Sequence, residues 1–200
     1  MKALPEEQIL TFIKTKRDRR HEINRVFKEF KREIIPELIE VRNHSISAGR
    51  NVYQLAGATG LSVGNDVTRT FSTKLGLFWE RIADLAPNVV SPELDFGIKI
   101  PEVDVIVLYN TNLYYTQLKT QKNTLTGSQC NRTVEELSKF PHSWFVACID
   151  TNASWTAPKS LNRLLAREFW DKIGIDYNKD IRENLDKLIK EVEDKVMNSK

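Results

Sequence analysis

The sequence predicts an α/β protein: a mixed β-sheet core, made of a hairpin plus one parallel strand, flanked by helices and preceded by an N-terminal helical region. Three observations predict it. Residues 103–109 and 113–119 are apolar, β-rich runs separated by Asn110-Thr111-Asn112, a hairpin signal. Residues 144–149, Trp-Phe-Val-Ala-Cys-Ile, form an unbroken apolar run of the kind buried on both faces of a sheet. Between these, Thr133-Val134-Glu135-Glu136 has capping-box spacing and places a helix over 129–139. Strand, crossover helix and strand then set 144–149 parallel to 113–119.

The remaining elements follow in order. Across residues 5–42, Ile9, Phe12, Ile13, Ile23, Val26, Phe27, Phe30, Ile34, Leu38 and Ile39 recur at helical spacing, with Pro36 expected to kink or break the run. Residues 42–70 read as loop, because Gly49, Gly57, Gly60 and Gly64 sit among Ser, Asn and Thr. Phe71, Leu75, Phe78, Trp79, Ile82 and Leu85 make one apolar helix face over 71–86, stopped by Pro87. A helix is expected over 160–173, with Phe169 and Trp170 in the core, and a charged last helix over 179–197. Its Glu183–Lys187 and Asp186–Lys190 pairs have i,i+4 spacing.

Two hundred residues suit a single domain. Within it, 1–66 is an N-terminal helical and loop region, 67–175 the catalytic core and 176–200 a C-terminal helix. The 40% apolar content supports a core, and 30 Lys plus Arg against 27 Asp plus Glu leaves a net charge of only +3. That balance permits nucleic-acid binding but leaves local clusters to carry the case. Cys130 and Cys148 have no CxxC spacing, and His21, His44 and His142 are scattered, so a disulfide scaffold or zinc site is not expected. No run is long enough to span a membrane, and the N-terminus lacks the apolar core of a signal peptide, so a cytoplasmic location is expected. The sequence shows no Ser-His-Asp arrangement, phosphate-binding glycine loop or dinucleotide fingerprint.

The chemistry concentrates in Pro101-Glu102-Val103-Asp104 and Gln117-Leu118-Lys119. Side chains alternate along a strand, so Tyr115, Gln117 and Lys119 share a face. Turn length decides the rest: an even loop brings Asp104 to the same face, whereas an odd loop sends it to the other side unless a bulge intervenes. Same-face geometry is expected, with Asp95 as the reserve aspartate. A carboxylate for a hard cation, an amide oxygen beside it and a lysine near the attacked phosphate suit a metal-dependent phosphodiesterase.

This order, with Asp104 before one strand and Gln117-x-Lys119 on the next, resembles the restriction-endonuclease-like nuclease superfamily, whose motif is written PD-(D/E)xK. The stretch 114–129 looks most like bacterial type II restriction endonucleases. The resemblance spans about residues 70–175 and implies that fold, a Mg²⁺ cofactor and cleavage of double-stranded DNA at a short palindrome by a homodimer, in a bacterial or archaeal cytoplasm. It implies Asp104 as metal-binding aspartate, Gln117 in place of the usual second carboxylate, and Lys119 as the motif lysine. It also implies Glu80, a turn after Gly76 on the preceding helix, as a further ligand. The residues alone leave open a second reading of Glu80, on the helix's wet face and paired with Arg81.

Candidate DNA contacts are Lys122, Asn123, Thr124, Thr126, Ser128 and Gln129 from the amide- and hydroxyl-rich segment after the hairpin. Arg50 and Asn51 in the glycine-rich region and Asn152 after the buried strand are added, against the plainer reading of polar surface loops. The basic run Lys14, Lys16, Arg17, Arg19 and Arg20 fits either a solvated helix face or phosphate contact. A repair or recombination nuclease of the same fold and a catalytically silent DNA-binding protein are the alternatives.

Overall fold

The strands are β1 (Val89–Val90), β2 (Val105–Tyr109), β3 (Asn112–Lys119), β4 (Ser143–Ala147) and β5 (Arg163–Leu165). In this computed structural model, which describes residues 4–47, 53, 57–121, 128–150 and 160–198, they form one sheet in chain order. β1–β2 and β2–β3 are antiparallel, and β3–β4 and β4–β5 are parallel. The mixed sheet is the one the sequence predicts, with β4 parallel to β3, extended at each edge by a short strand the sequence reading lacked.

The hairpin closes on Tyr109 opposite Asn112, so the turn is Asn110-Thr111 alone. Their φ angles of 47° and 66° give both central residues the left-handed backbone of a type I′ turn, whose twist matches the flanking strands.

Among the described residues seven α-helices flank the sheet: α1 (Glu6–Thr15), α2 (Ile23–Ser47), α3 (Thr59–Ala83), α4 (Pro92–Phe96), α5 (Ser128–Leu137), α6 (Ala166–Lys172) and α7 (Glu183–Val192). Strand alternation splits the core in two. Val105, Val107, Leu118, Trp144 and Val146 pack with α2, α3, α6 and α7. Ile106, Leu113, Tyr115 and Phe145 pack with Ile9 of α1 and Leu137 of α5. Each such fully buried side chain contributes about 1.5–3 kcal/mol. On the first face Phe78 of α3 stacks on Phe30 of α2, with ring centroids 4.3 Å apart, and meets Phe27 edge-on at 4.8 Å.

Several boundaries differ from the sequence reading. α2 runs through Pro36 rather than ending there, since Ile34, Ile35 and Leu38 on either side are buried and their packing offsets the lost backbone bond. Residues 59–70 are helix, not loop: Ser62, Val63 and Val67 are buried, and that packing overrides the weak propensities of Gly60 and Gly64. The division at 66/67 therefore falls inside α3. The expected 160–173 helix begins only at Ala166, because Leu164 is buried in a strand that pairs with Val146. The helix expected over 129–139 is present as α5, with Thr133 fully buried inside it rather than capping its start. The last helix extends from Tyr177 to Met197, with wider turns over Tyr177–Arg182 and Glu193–Met197. Glu183 pairs with Lys187 as expected (3.8 Å), whereas Asp186 pairs with Arg182 (3.0 Å). Among the described residues no helix is long and apolar enough to cross a membrane.

Candidate active site

β2 and β3 build the site. Their register sets Val105 against Thr116, so one step further Asp104 stands opposite Gln117, and Lys119 lies two residues on. The even turn thus brings Asp104, Gln117 and Lys119 to the same part of the sheet. Lys119 ends β3 beside the end of parallel β4, and Cys148 N–H donates to Lys119 O (2.7 Å). From the helical face, Trp79 Nε1 donates to Thr120 Oγ1 (3.1 Å) and Trp170 Nε1 to Cys148 O (2.8 Å). Tyr177 Oη donates to Ile149 O (2.9 Å). Both strand ends are therefore fixed, as a precise site needs.

Glu102 has a left-handed backbone, φ 56°. Such a conformation costs a non-glycine residue about 1–3 kcal/mol and concentrates at functional sites. Asp104 N–H still donates to Thr116 O (2.9 Å), and where the turn takes the chain out of the β2–β3 ladder beyond it, Asp104 Oδ2 accepts the Leu118 N–H (2.7 Å). Burial pushes the Asp104 carboxyl above the usual carboxylate range, opposed by that hydrogen bond and by the Lys119 charge.

The Gln117 amide is buried, and its orientation follows from its neighbours. With nitrogen meeting oxygen, it donates to the Glu102 carboxylate and to Glu102 O (3.2 Å), and its oxygen accepts from Lys119 Nζ (3.2 Å). That end of the amide also lies 3.4 Å from Asp104 Oδ2. Glu102 is held in turn by α5: Thr133 Oγ1 donates to Glu102 Oε2 (2.9 Å), and Arg132 Nε lies 3.4 Å from Oε1. Sequence reasoning passed over Glu102. The available signal was its place two residues before Asp104 in Pro-Glu-Val-Asp.

Glu80 stands apart. It is only 8% exposed, which overturns the wet-face reading, and Arg81 pairs with Glu33 instead (3.6 Å). Ser91 Oγ donates to its carboxylate. Burial raises the Glu80 carboxyl and the Ser91 bond opposes this, while the Asp104 charge adds to the rise. Glu80 rides on α3, which packs on the other face of the sheet, and it lines a cleft with Phe30, Phe78 and Leu94. Among the described residues no three His, Cys, Asp or Glu side chains converge as a metal cluster. The reserve Asp95 belongs elsewhere: with Asp84 it flanks Lys16 Nζ, which lies 3.1 Å from Asp95 Oδ2 and donates to Val89 O (2.7 Å).

No family model, no curated protein and no solved structure matches this chain. The site therefore stands on its own geometry.

Of the candidate DNA contacts, Arg50, Asn51, Lys122, Asn123, Thr124, Thr126 and Asn152 lie outside the described residues. Ser128 is the first described residue of α5, and Gln129 beside it is exposed. The basic run near α1 is largely absorbed by pairing. Lys16 is buried between two aspartates, Arg19 Nε reaches Glu22 (3.1 Å), and Arg20 reaches Asp18 (2.5 Å) and Gly174 O (2.7 Å). Lys14 and Arg17 remain exposed.

Proposed function

We propose that this protein is a Mg²⁺-dependent type II restriction endonuclease. It hydrolyses phosphodiester bonds in both strands of a short palindromic DNA sequence and acts as a homodimer, because a two-fold target matches a two-fold protein. The observation that carries this reading is the meeting of Asp104, Gln117 and Lys119 at the β2–β3 edge, beside the ends of two parallel strands.

Asp104 is the residue that would hold Mg²⁺. The donor chemistry fits, since Mg²⁺ in phosphoryl-transfer sites takes one or two carboxylates and keeps several waters. Bound there, the cation supplies charge neutralisation at the attacked phosphate. Lys119 presents its ammonium to the same phosphate and stabilises the charge that develops on it. Gln117 holds that ammonium through its amide oxygen.

Digestion of phage DNA with and without Mg²⁺ tests the reading. Discrete fragments support restriction. A smear or structure-selective cuts favour a repair nuclease of the same fold, and binding without cutting a silent DNA-binding protein.

A further inference from the structure

We infer that Glu102 is the positioning residue of this site: it fixes Gln117 so that the amide oxygen faces Lys119, and thereby sets where the Lys119 ammonium stands. This rests on the nuclease reading only for the reaction the ammonium serves.

An amide side chain can turn over, and its two ends have opposite hydrogen-bonding character. If Gln117 nitrogen faced Lys119, it would gain only a long contact to Asp104 Oδ2 (3.4 Å), while two donors would meet at the ammonium and drive it away. Glu102 prevents this. Its carboxylate and its own carbonyl oxygen both take up the Gln117 nitrogen, which commits the oxygen to Lys119 Nζ. The carboxylate is itself held from α5 by buried Thr133 and by Arg132. The result is a chain of contacts from α5 through Glu102 and Gln117 to Lys119. Both Glu102 oxygens are engaged within it, so the residue anchors the amide rather than serving as a cation ligand. The same commitment leaves the Gln117 oxygen to Lys119 rather than to metal.

The test uses Glu102→Gly and Glu102→Gln. Glycine suits the left-handed backbone at this position, so the first variant keeps the fold. The second keeps an acceptor for the Gln117 nitrogen. Without DNA or metal, the Gln117 side-chain amide resonances of ¹⁵N-labelled protein shift in Glu102→Gly. Lys119 in that variant also becomes more reactive than in wild type toward acetic anhydride, read by mass spectrometry with the other lysines as controls. In cleavage assays the glycine variant loses about 10- to 100-fold in kcat, the scale expected for a misplaced catalytic group. Its KM for DNA stays unchanged, and Glu102→Gln restores the rate. Unchanged Gln117 resonances and Lys119 reactivity in Glu102→Gly overturn the inference, as does an unchanged kcat when wild type cuts. Should wild type cut no DNA while both apo signals respond, the positioning chain stands and the nuclease reading fails.

Discussion

Lys119 reaches the site from the last position of β3, where backbone pairing with β4 and the Gln117 amide fix both its ends. Lys119→Ala should lower cleavage about 10²–10³-fold, the usual cost of one transition-state stabiliser, while a gel-shift assay still shows DNA binding. Asp104→Asn should abolish the Mg²⁺-dependent cleavage. Near-normal cleavage by either variant puts the chemistry somewhere else. Gln117→Glu brings a carboxylate against Glu102, and like charges in contact disfavour ionisation. Single-turnover rates should therefore fall, and combining it with Glu102→Gln, which restores a donor opposite an acceptor, should recover them. Asp104, Gln117 and Lys119 were legible in the sequence because strand alternation and an even turn suffice to bring them together. Glu102 was not. Its role depends on a left-handed backbone at a residue other than glycine, and residue type does not announce that.

Ser91 links two elements. Its hydroxyl oxygen accepts the Leu94 N–H (3.0 Å) to cap α4, and the same hydroxyl donates to buried Glu80 of α3. Ser91→Ala removes both bonds, and the cost should be about 1–3 kcal/mol in urea unfolding, from a lost cap plus a buried carboxylate left unpaired. A midpoint unchanged from wild type would mean that water replaces the hydroxyl without loss. α4 was missed in the sequence because it is five residues long and closes at Gly97, φ 65°. β1 and β5, of two and three residues, are too short to show a period and exist only as partners of β2 and β4. The first turns of α3 were hidden for a different reason. Gly60, Gly64 and their polar neighbours read as loop, and only the burial of Val63 and Val67 against the rest of the helical layer makes them helix.

At the scale of the molecule, Lys16 ties the segment after α1 to Asp84 at the end of α3 and to Asp95 of α4. Burial, with Asp95 alongside and against the pull of Lys16, raises the Asp84 carboxyl from 3.8 to about 6. The folded state thus holds this proton more tightly than the unfolded chain. The group's stabilising contribution is full below about pH 4 and is lost as the pH rises through about 6. Melting temperatures measured from pH 4.5 to 7 should show a decline that Asp84→Asn flattens. A parallel decline in both proteins assigns it to another carboxyl.

The strands lie side by side in the order in which they occur in the chain, so each can pair with the one just before it. The N-terminal α2 and C-terminal α7 meet across a much wider gap. Lys31 reaches Glu191 (2.6 Å) and Asn184 reaches Asn24 (2.7 Å), each pair 160 positions apart. Closing that gap costs the most chain entropy, which predicts that it forms late in assembly. Leu188→Ala in α7 should therefore leave the refolding rate almost untouched and quicken unfolding, so that the chain opens from the seam between its two ends while the sheet carrying the site still stands.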